Sequence, residues 1–461
     1  MIKFVHQLLV INNQFSEQNL QMTVSGFRPE QGNIMGSNRT SPIQISTTVA
    51  HFSFRSPAFI LLTLLIASLA PPLRGQKLTI LYAFPGQPDG SGPYAPPIKD
   101  KHGNLFGTTY AGGSKDWGTV YEISASGKET VLHSFVGGKD GSTPTSGLTM
   151  DAQGNLYGTT YTGGSTDCFN GYGCGVVYEL SPRQGGWKET ILYAFKGGSD
   201  GGLLSFGNLA SDTDGNLYGT TMYGGNRPWP HGGGVVYKLT HRHGRWVHTT
   251  LYAFGTTSKK DGATPYGGVN LDAKGNVYGT TFYGGSAGAG TVFELDAVGS
   301  ETFLFSFGIS GDGEFPEAGL VRDGAGNLYG TTMSGGDPSC ACGTAFKLDT
   351  SGTETVLHVF AGYPSDGASP RQLTLDAAGN LYGTTYYGGD STDCLSNNQP
   401  VGCGTVFKLS PSGDETVLHN FSHVTDGSEV WAGVTLGGGN LYGGTLAGGP
   451  AGNGIVYKLT K

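Results

Sequence analysis

The stretch that decides the fold is Gly154-Asn155-Leu156-Tyr157-Gly158-Thr159-Thr160. Near-copies of it begin at Gly103, Gly154, Gly215, Gly275, Gly326, Gly379 and Gly439, at intervals of 51 to 61 residues. Self-similarity at a period of this size marks a propeller, a solenoid or a repeat array. Each unit carries four short runs rich in Val, Ile, Leu, Tyr and Thr, bounded by Gly, Asp and Pro. In the second unit these are residues 147–151, 155–161, 175–180 and 189–195, a strand pattern with no helical period anywhere after residue 76. Seven units of four strands predict an all-β, seven-bladed β-propeller with four antiparallel strands per blade. A β-solenoid is the alternative, but its coils are usually much shorter than 51 residues.

The ends of the chain indicate how such a ring closes. A strand of the type Glu-Thr-Val-Leu-His-x-Phe stands at 129–135, 354–360 and 415–421, with relatives at 189–195, 249–254 and 301–307. A seventh copy, Leu78 to Phe84, precedes the first unit, while the last unit ends after its third strand. The first strand is therefore expected to complete the last blade as a one-plus-three clasp, leaving no unpaired edge.

Two turns recur. Asp-x-x-Gly-Asn, as at Asp151, Gly154 and Asn155, joins the first strand to the second, with Asp bonding turn amides and Gly taking positive φ. Asp-Gly precedes every first strand, at Asp89, Asp140, Asp200, Asp261, Asp312, Asp366 and Asp426. A ring of calcium ligands is one reading of these aspartates. Turn capping is the better one, because no acidic companion recurs at a fixed offset and calcium takes 6 to 8 oxygens.

Composition bounds the rest. The 81 glycines sit at fixed places in a long period rather than at every third residue, which excludes collagen. Charged residues are 13% of the chain, and the net charge of -8 is spread without runs, so no nucleic-acid partner is expected. Residues 58–70 are almost wholly apolar, too short for a membrane span, and followed by Pro71 and Pro72. They match the hydrophobic region of a secretory signal, with residues 58–76 as the signal and its cleavage region, 1–57 as an unstructured extension and 77–461 as the propeller. A buried or membrane-anchoring segment is the alternative for 58–70. The six cysteines form three close pairs at one place in their repeats: Cys168 with Cys174, Cys340 with Cys342, and Cys394 with Cys403. Local disulfides in an exported protein explain them better than zinc, since the spacings differ and no His recurs beside them.

The repeat Gly-Asn-Leu-Tyr-Gly-Thr-Thr-Tyr-x-Gly-Gly followed by Gly-Thr-Val-Phe-Lys-Leu, as at 379–389 and 404–409, resembles the GloVer-type repeat of bacterial "choice-of-anchor" secreted proteins. The resemblance covers residues 77–461. It implies an exported bacterial repeat protein and carries over no catalytic residues. Anchored members continue past the repeats, whereas this sequence stops at Lys461, so anchoring through the C-terminus is not expected.

Function is expected on the loops between second and third strands, which vary most in length and hold all six cysteines. On or beside that face the sequence places Tyr94, Trp117, Phe169, Tyr172, Trp229, Tyr266, Tyr363 and Trp431. Trp117, Phe169, Tyr172, Trp229, Tyr266 and Trp431 are the candidate binding residues, their rings suited to stacking on sugars or gripping a partner. Single aromatics of this kind more often cover blade edges. No catalytic constellation stands out. Asp167 and Asp393 recur only beside cysteines, and the basic group His241, Arg242, His243, Arg245 and His248 reads as a solvated hairpin. No cofactor and no metal site are expected; the many Gly-x-Gly matches are background without a helix to follow them. The sequence thus reads as a monomeric, exported binding or scaffold module for a polysaccharide or cell-envelope protein. A carbohydrate-active hydrolase or lyase with acids at the central channel mouth is the alternative.

Overall fold

The protein, seen in a computed structural model, is described over residues 76–225, 232–255, 261–309 and 311–461. The signal-like segment 58–70 lies outside these residues. Helix among them is confined to two single 3-10 turns, Gly138–Asp140 and Phe169–Gly171, and none is long and apolar enough to cross a membrane.

Seven antiparallel sheets form the predicted propeller, numbered here in chain order from the blade that opens at Gly90. In blade 2 the order from axis to rim is Thr149–Met150, Leu156–Thr160, Val176–Arg183 and Gly186–Ala194. The Glu-Thr-Val-Leu-His-x-Phe strand is the outermost throughout. Blade 7 has only three strands of its own, Thr435–Gly437, Asn440–Thr445 and Ile455–Thr460, and Leu78–Ala83 completes it. Leu78 pairs with Leu459 and Ala83 with Ile455, antiparallel, with a bulge between Ile80 and Tyr82. The next residue, Phe84, is fully buried and meets Tyr121 of blade 1 edge-on at 5.2 Å. The clasp thus joins the last blade to the first as well as to itself.

The repeated motif explains how a blade packs. Gly154 takes φ 84° at the turn, where Asp151 accepts the Gln153 and Asn155 amides at 2.9 Å and the Tyr157 hydroxyl at 3.0 Å. A Cβ on Gly158 would stand 2.3 Å from the Tyr178 hydroxyl. Tyr178 belongs to the neighbouring strand of the same blade, so this glycine makes room within its own sheet rather than for the next one.

The two threonines have separate tasks. The second caps its own strand: Thr160 donates to the Thr162 carbonyl at 2.8 Å. The first reaches across to the next blade's inner strand in five blades. Thr108 donates to the Ser146 carbonyl at 2.8 Å, Thr220 to Gly267 at 2.9 Å, Thr280 to Ala318 at 3.0 Å, Thr331 to Arg371 at 3.0 Å and Thr384 to Ala432 at 2.7 Å. In blade 7 the place is Gly444, whose Cβ would lie 3.2 Å from Pro93 of blade 1. A threonine does not fit easily where the clasp brings the ends together.

At the rim, each seam sets the fifth residue of one outer strand, the Asp of the following Asp-Gly, and the first residue of the next outer strand side by side. Tyr82 donates to Asp89 at 2.6 Å, Tyr193 to Asp200 at 2.9 Å and Tyr252 to Glu301 at 2.9 Å. His358 and His419 take the tyrosine's place against Asp366 and Asp426. An acidic companion therefore does exist at five seams: Glu129, Glu189, Glu301, Glu354 and Glu415 come in from the neighbouring blade. No fixed-offset pattern marks it in the sequence because it arrives across a gap of a whole blade.

Two outcomes follow from these contacts. Deleting residues 77–84 removes Phe84 from full burial and exposes the third strand of blade 7; a buried side chain of this size contributes about 1.5–3 kcal/mol. Urea unfolding of the deletion variant should show a loss of several kcal/mol or no soluble protein, and an unchanged midpoint would refute the clasp. Burial, reinforced by Asp89 and Asp312 respectively, pushes Glu129 and Glu354 up to about 7. Each binds its proton more tightly folded than unfolded, where the value is about 4.3. Their contribution is complete below that value and lost as pH rises through about 7. The melting temperature should therefore fall between pH 5 and 8, and the double variant Glu129→Gln/Glu354→Gln should flatten that slope.

Candidate functional site

Aligning the units on Asp-Gly reveals what the inner strands put at the axis. Three residues after the Asp, the chain turns through positive φ in every blade: Gly92, Thr143, Leu203, Thr264, Phe315, Ser369 and Glu429, at 53–66°. Six of the seven are not glycine, a conformation uncommon for L-residues and held here by the sheet on either side. The kink splits the inner strand, as in Gly90–Pro93 and Ile98–Lys99, which both pair with Leu105–Gly112. Two residues later stand Tyr94, Thr145, Ser205, Tyr266, Glu317, Arg371 and Trp431, of which Tyr94, Tyr266, Glu317, Arg371 and Trp431 line the axis while Ser205 bonds Thr220 of its own blade. The following positions are mostly small because the inner strands nearly touch. A Cβ on Gly207 would fall 1.7 Å from the Gly268 amide nitrogen.

Phe206 fills the centre. It stacks on Tyr94 at 5.4 Å, Tyr161 at 5.8 Å and Tyr266 at 5.6 Å, and meets Trp431 at 6.2 Å. From this plug, ring contacts run outward in two directions. One arm passes from Tyr94 to Trp431, Tyr386 and Tyr387 at 5.2, 5.3 and 4.5 Å. The other passes from Tyr266 to Phe282 and Phe315 at 4.8 and 5.1 Å, with Tyr283 on Phe315 at 5.9 Å. The outer members come from the ends of second strands, on the face that also carries the Asp-Gly links and the variable loops. Tyr223, Phe315, Tyr387 and Trp431 are half-buried there, and Tyr283 is 38% exposed. The result is an aromatic cup, floored at Phe206 and open to the loop face.

One ion pair stands in it. Arg371 lies over Trp431, 3.9 Å from the ring centroid, and 5.1 Å from that of Tyr386. Its Nη1 bonds Glu317 Oε2, and both side chains are over nine-tenths buried. Among the described residues its buried Nε has no hydrogen-bond partner. A cavity of about 50 Å³ opens between these groups and the inner-strand backbones of Gly207, Gly267 and Gly433. That space admits water rather than a sugar ring. Burial drives the hydroxyls of Tyr94 and Tyr266 well above the usual tyrosine range, keeping them protonated as donors.

The expected binding residues are dispersed by the structure. Tyr266 and Trp431 meet through the plug, together with Tyr94, on the axis rather than on the loop surface. Trp117 packs in the blade 1–blade 2 core beneath Gly137, and Tyr172 is 52% exposed on its own loop. Trp229 and the Phe169 side chain lie outside the described residues. All three cysteine pairs form disulfides, Cys168–Cys174, Cys340–Cys342 and Cys394–Cys403. The basic hairpin of blade 3 divides: His248 turns inward to stack on Tyr193 at 4.6 Å. Phe206, Tyr283, Arg371, Tyr386 and Tyr387 are cup residues that loop-by-loop reading missed. Register against Asp-Gly is the signal that would have found Arg371, and the place after Gly-Thr-Thr the one for Tyr386.

The sequence matches the Gloeobacter/Verrucomicrobia repeat over residues 68–259 and 231–395. No protein of curated function matches it. Among solved structures, the extracellular domain of a putative hybrid two-component system from B. thetaiotaomicron superposes with a TM-score of 0.50 at 13% identity, covering 83% of this chain and 41% of that one. A putative one-component system's extracellular domain from the same organism gives 0.49 at 9%, covering 83% and 40%. A putative gluconolactonase gives 0.41 at 14%, covering 88% and 96%. The chain thus spans about two-fifths of the two extracellular domains, and at such identities the likeness is one of fold.

Breaking the axial ion pair from one side should be costly, since it strands a buried charge. Glu317→Leu is expected to lose about 3–5 kcal/mol by urea unfolding, and Glu317→Leu/Arg371→Met to recover much of it. Equal losses in the single and double variants would show that the pair is not coupled.

Proposed function

The chain belongs to the Gloeobacter/Verrucomicrobia repeat family, and from that premise we propose that it is an exported binding propeller whose aromatic cup takes a saccharide unit of a polysaccharide or glycosylated envelope partner. The observation that carries this reading is the unbroken run of ring contacts from Tyr387 through Phe206 to Phe315. Rings presented half-exposed around a concave floor offer apolar faces for a sugar's C–H surfaces, while the tyrosine hydroxyls offer hydrogen bonds at the edges. Three disulfides in loops of the cup's own face support export into an oxidising compartment.

Hydrolysis is the less favoured use of this site. It needs two carboxyl groups facing across the bond to be cut. Glu317 is instead held by Arg371, and Glu429 sits against Tyr386 and Tyr387.

A glycan array and a polysaccharide-degradation screen on the purified full chain test the reading. Binding without product is expected. Tyr283→Ala and Tyr387→Ala should each weaken that binding by about tenfold, the effect of losing roughly 1–1.5 kcal/mol of ring contact, with little change in melting temperature. Product release would favour the hydrolase, and silence in both assays would overturn the saccharide.

A further inference from the structure

The rim seam between blades 1 and 2 leaves two buried polar atoms without a well-formed hydrogen bond, where four other seams leave one each among the described residues, on Glu129, His248, Glu354 and Glu415. His133 comes from the outer strand Glu129–Ser134, Asp140 from the following Asp-Gly turn and Glu189 from the outer strand Gly186–Ala194 of the next blade. His133 Nε2 lies 3.2 Å from Asp140 Oδ1 and 3.6 Å from Glu189 Oε1, and one donor atom of each residue falls within 4.8 Å of the others. Both His133 Nε2 and Glu189 Oε1 are closed off from solvent and crowd against Asp140, yet among the described residues neither meets a partner in good hydrogen-bond geometry. At the Tyr82, Tyr193 and Tyr252 seams a hydroxyl proton fills this place.

We propose that this seam is a zinc site, with His133 Nε2, Asp140 Oδ1 and Glu189 Oε1 as ligands and water in the fourth position. A tetrahedral zinc ion with ligand bonds of about 2.0 Å holds its donor atoms about 3.3 Å apart. The observed 3.2 and 3.6 Å bracket that spacing. One imidazole and two carboxylates form a donor set that a borderline divalent cation accepts. The supports are also in place. Asp140 Oδ2 accepts the Val136 amide at 2.6 Å, which turns Oδ1 toward His133, and the His133 ring stands edge-on to Phe135 at 4.7 Å. The ion would tie the rims of two blades together and is independent of the saccharide reading.

In the seam with the same residue types, His358, Asp366 and Glu415, the His–Asp pair is already occupied by hydrogen bonds and only Glu415 Oε1 is left without one. Asp366 Oδ2 takes His358 Nε2 at 3.1 Å and the Ala361 amide at 2.8 Å, and Oδ1 takes the Gly367 amide. It serves as the internal control.

The test is zinc titration of the EDTA-stripped full chain, followed by calorimetry and thermal melting, with cobalt absorption to report tetrahedral coordination. Zinc should bind and raise the melting temperature. One equivalent, with its melting shift and tetrahedral cobalt spectrum, should vanish in His133→Phe and remain in His358→Phe. Phe305 occupies the equivalent place in blade 4, so His133→Phe is compatible with the strand, and Glu189→Gln gives a second route to the same loss. Absence of binding at millimolar zinc, or full zinc binding retained in both His133→Phe and Glu189→Gln, would overturn the site and leave a shared carboxyl proton as its occupant.

Discussion

A ring of seven sheets is stable only if its seventh seam is made as well as the other six, and here that seam depends on pairing the first strand of the ring with the last. Leu78–Ala83 lies along Ile455–Thr460, and Phe84 then enters the core shared with blade 1. Everything nearer the axis inherits its position from that closure. The threonine-to-carbonyl bonds draw five blades against their neighbours, and where Gly444 replaces the threonine, close contact with Pro93 takes over. Because the blades repeat one strand plan, the inner strands converge until small residues such as Gly207 and Gly268 pass one another.

That convergence explains where chemical variety is tolerated. Next to the narrow level, each inner strand kinks through positive φ, and five blades send Tyr94, Tyr266, Glu317, Arg371 or Trp431 to line the axis. Blade 3 adds Phe206, which closes the channel and turns its mouth into a cup. The repeat holds the scaffold constant, while the kink supplies seven independent positions. Among them, Arg371 and Glu317 bring opposite charges into an otherwise aromatic and small-residue lining. A buried pair of this kind contributes orientation more than stability, since removing the charges from water offsets most of their attraction.

Much of this was legible in the sequence. The seven-unit count, the outer position of the Glu-Thr-Val-Leu-His-x-Phe strand, the clasp and the Asp151 turn all follow from strictly periodic local signals, which is what a repeat fold writes into its chain. The site was less legible, for a physical reason. Tyr94, Tyr266 and Trp431 were visible as aromatics near the right face, but the kink that turns them inward depends, except at Gly92 in blade 1, on non-glycine residues at positive φ, which no residue type announces. Phe206 becomes a plug only because the other blades stop short of it. The rim glutamates likewise meet their aspartates across blades. Contacts made by closure carry no fixed offset, whereas Gly158 meets its partner Tyr178 only one strand away in the same sheet.

The most direct measurement is native-state hydrogen exchange at the two ends of the chain. If the ring is closed as described, the amides of Leu78–Ala83 that face the last strand exchange at the same slow rate as their partners in Ile455–Thr460, because both open only when the whole ring does. Fast exchange of Leu78–Ala83 beside a protected Ile455–Thr460 would mean that the ring stands without its clasp, and would contradict the account of how the axis and its cup are held.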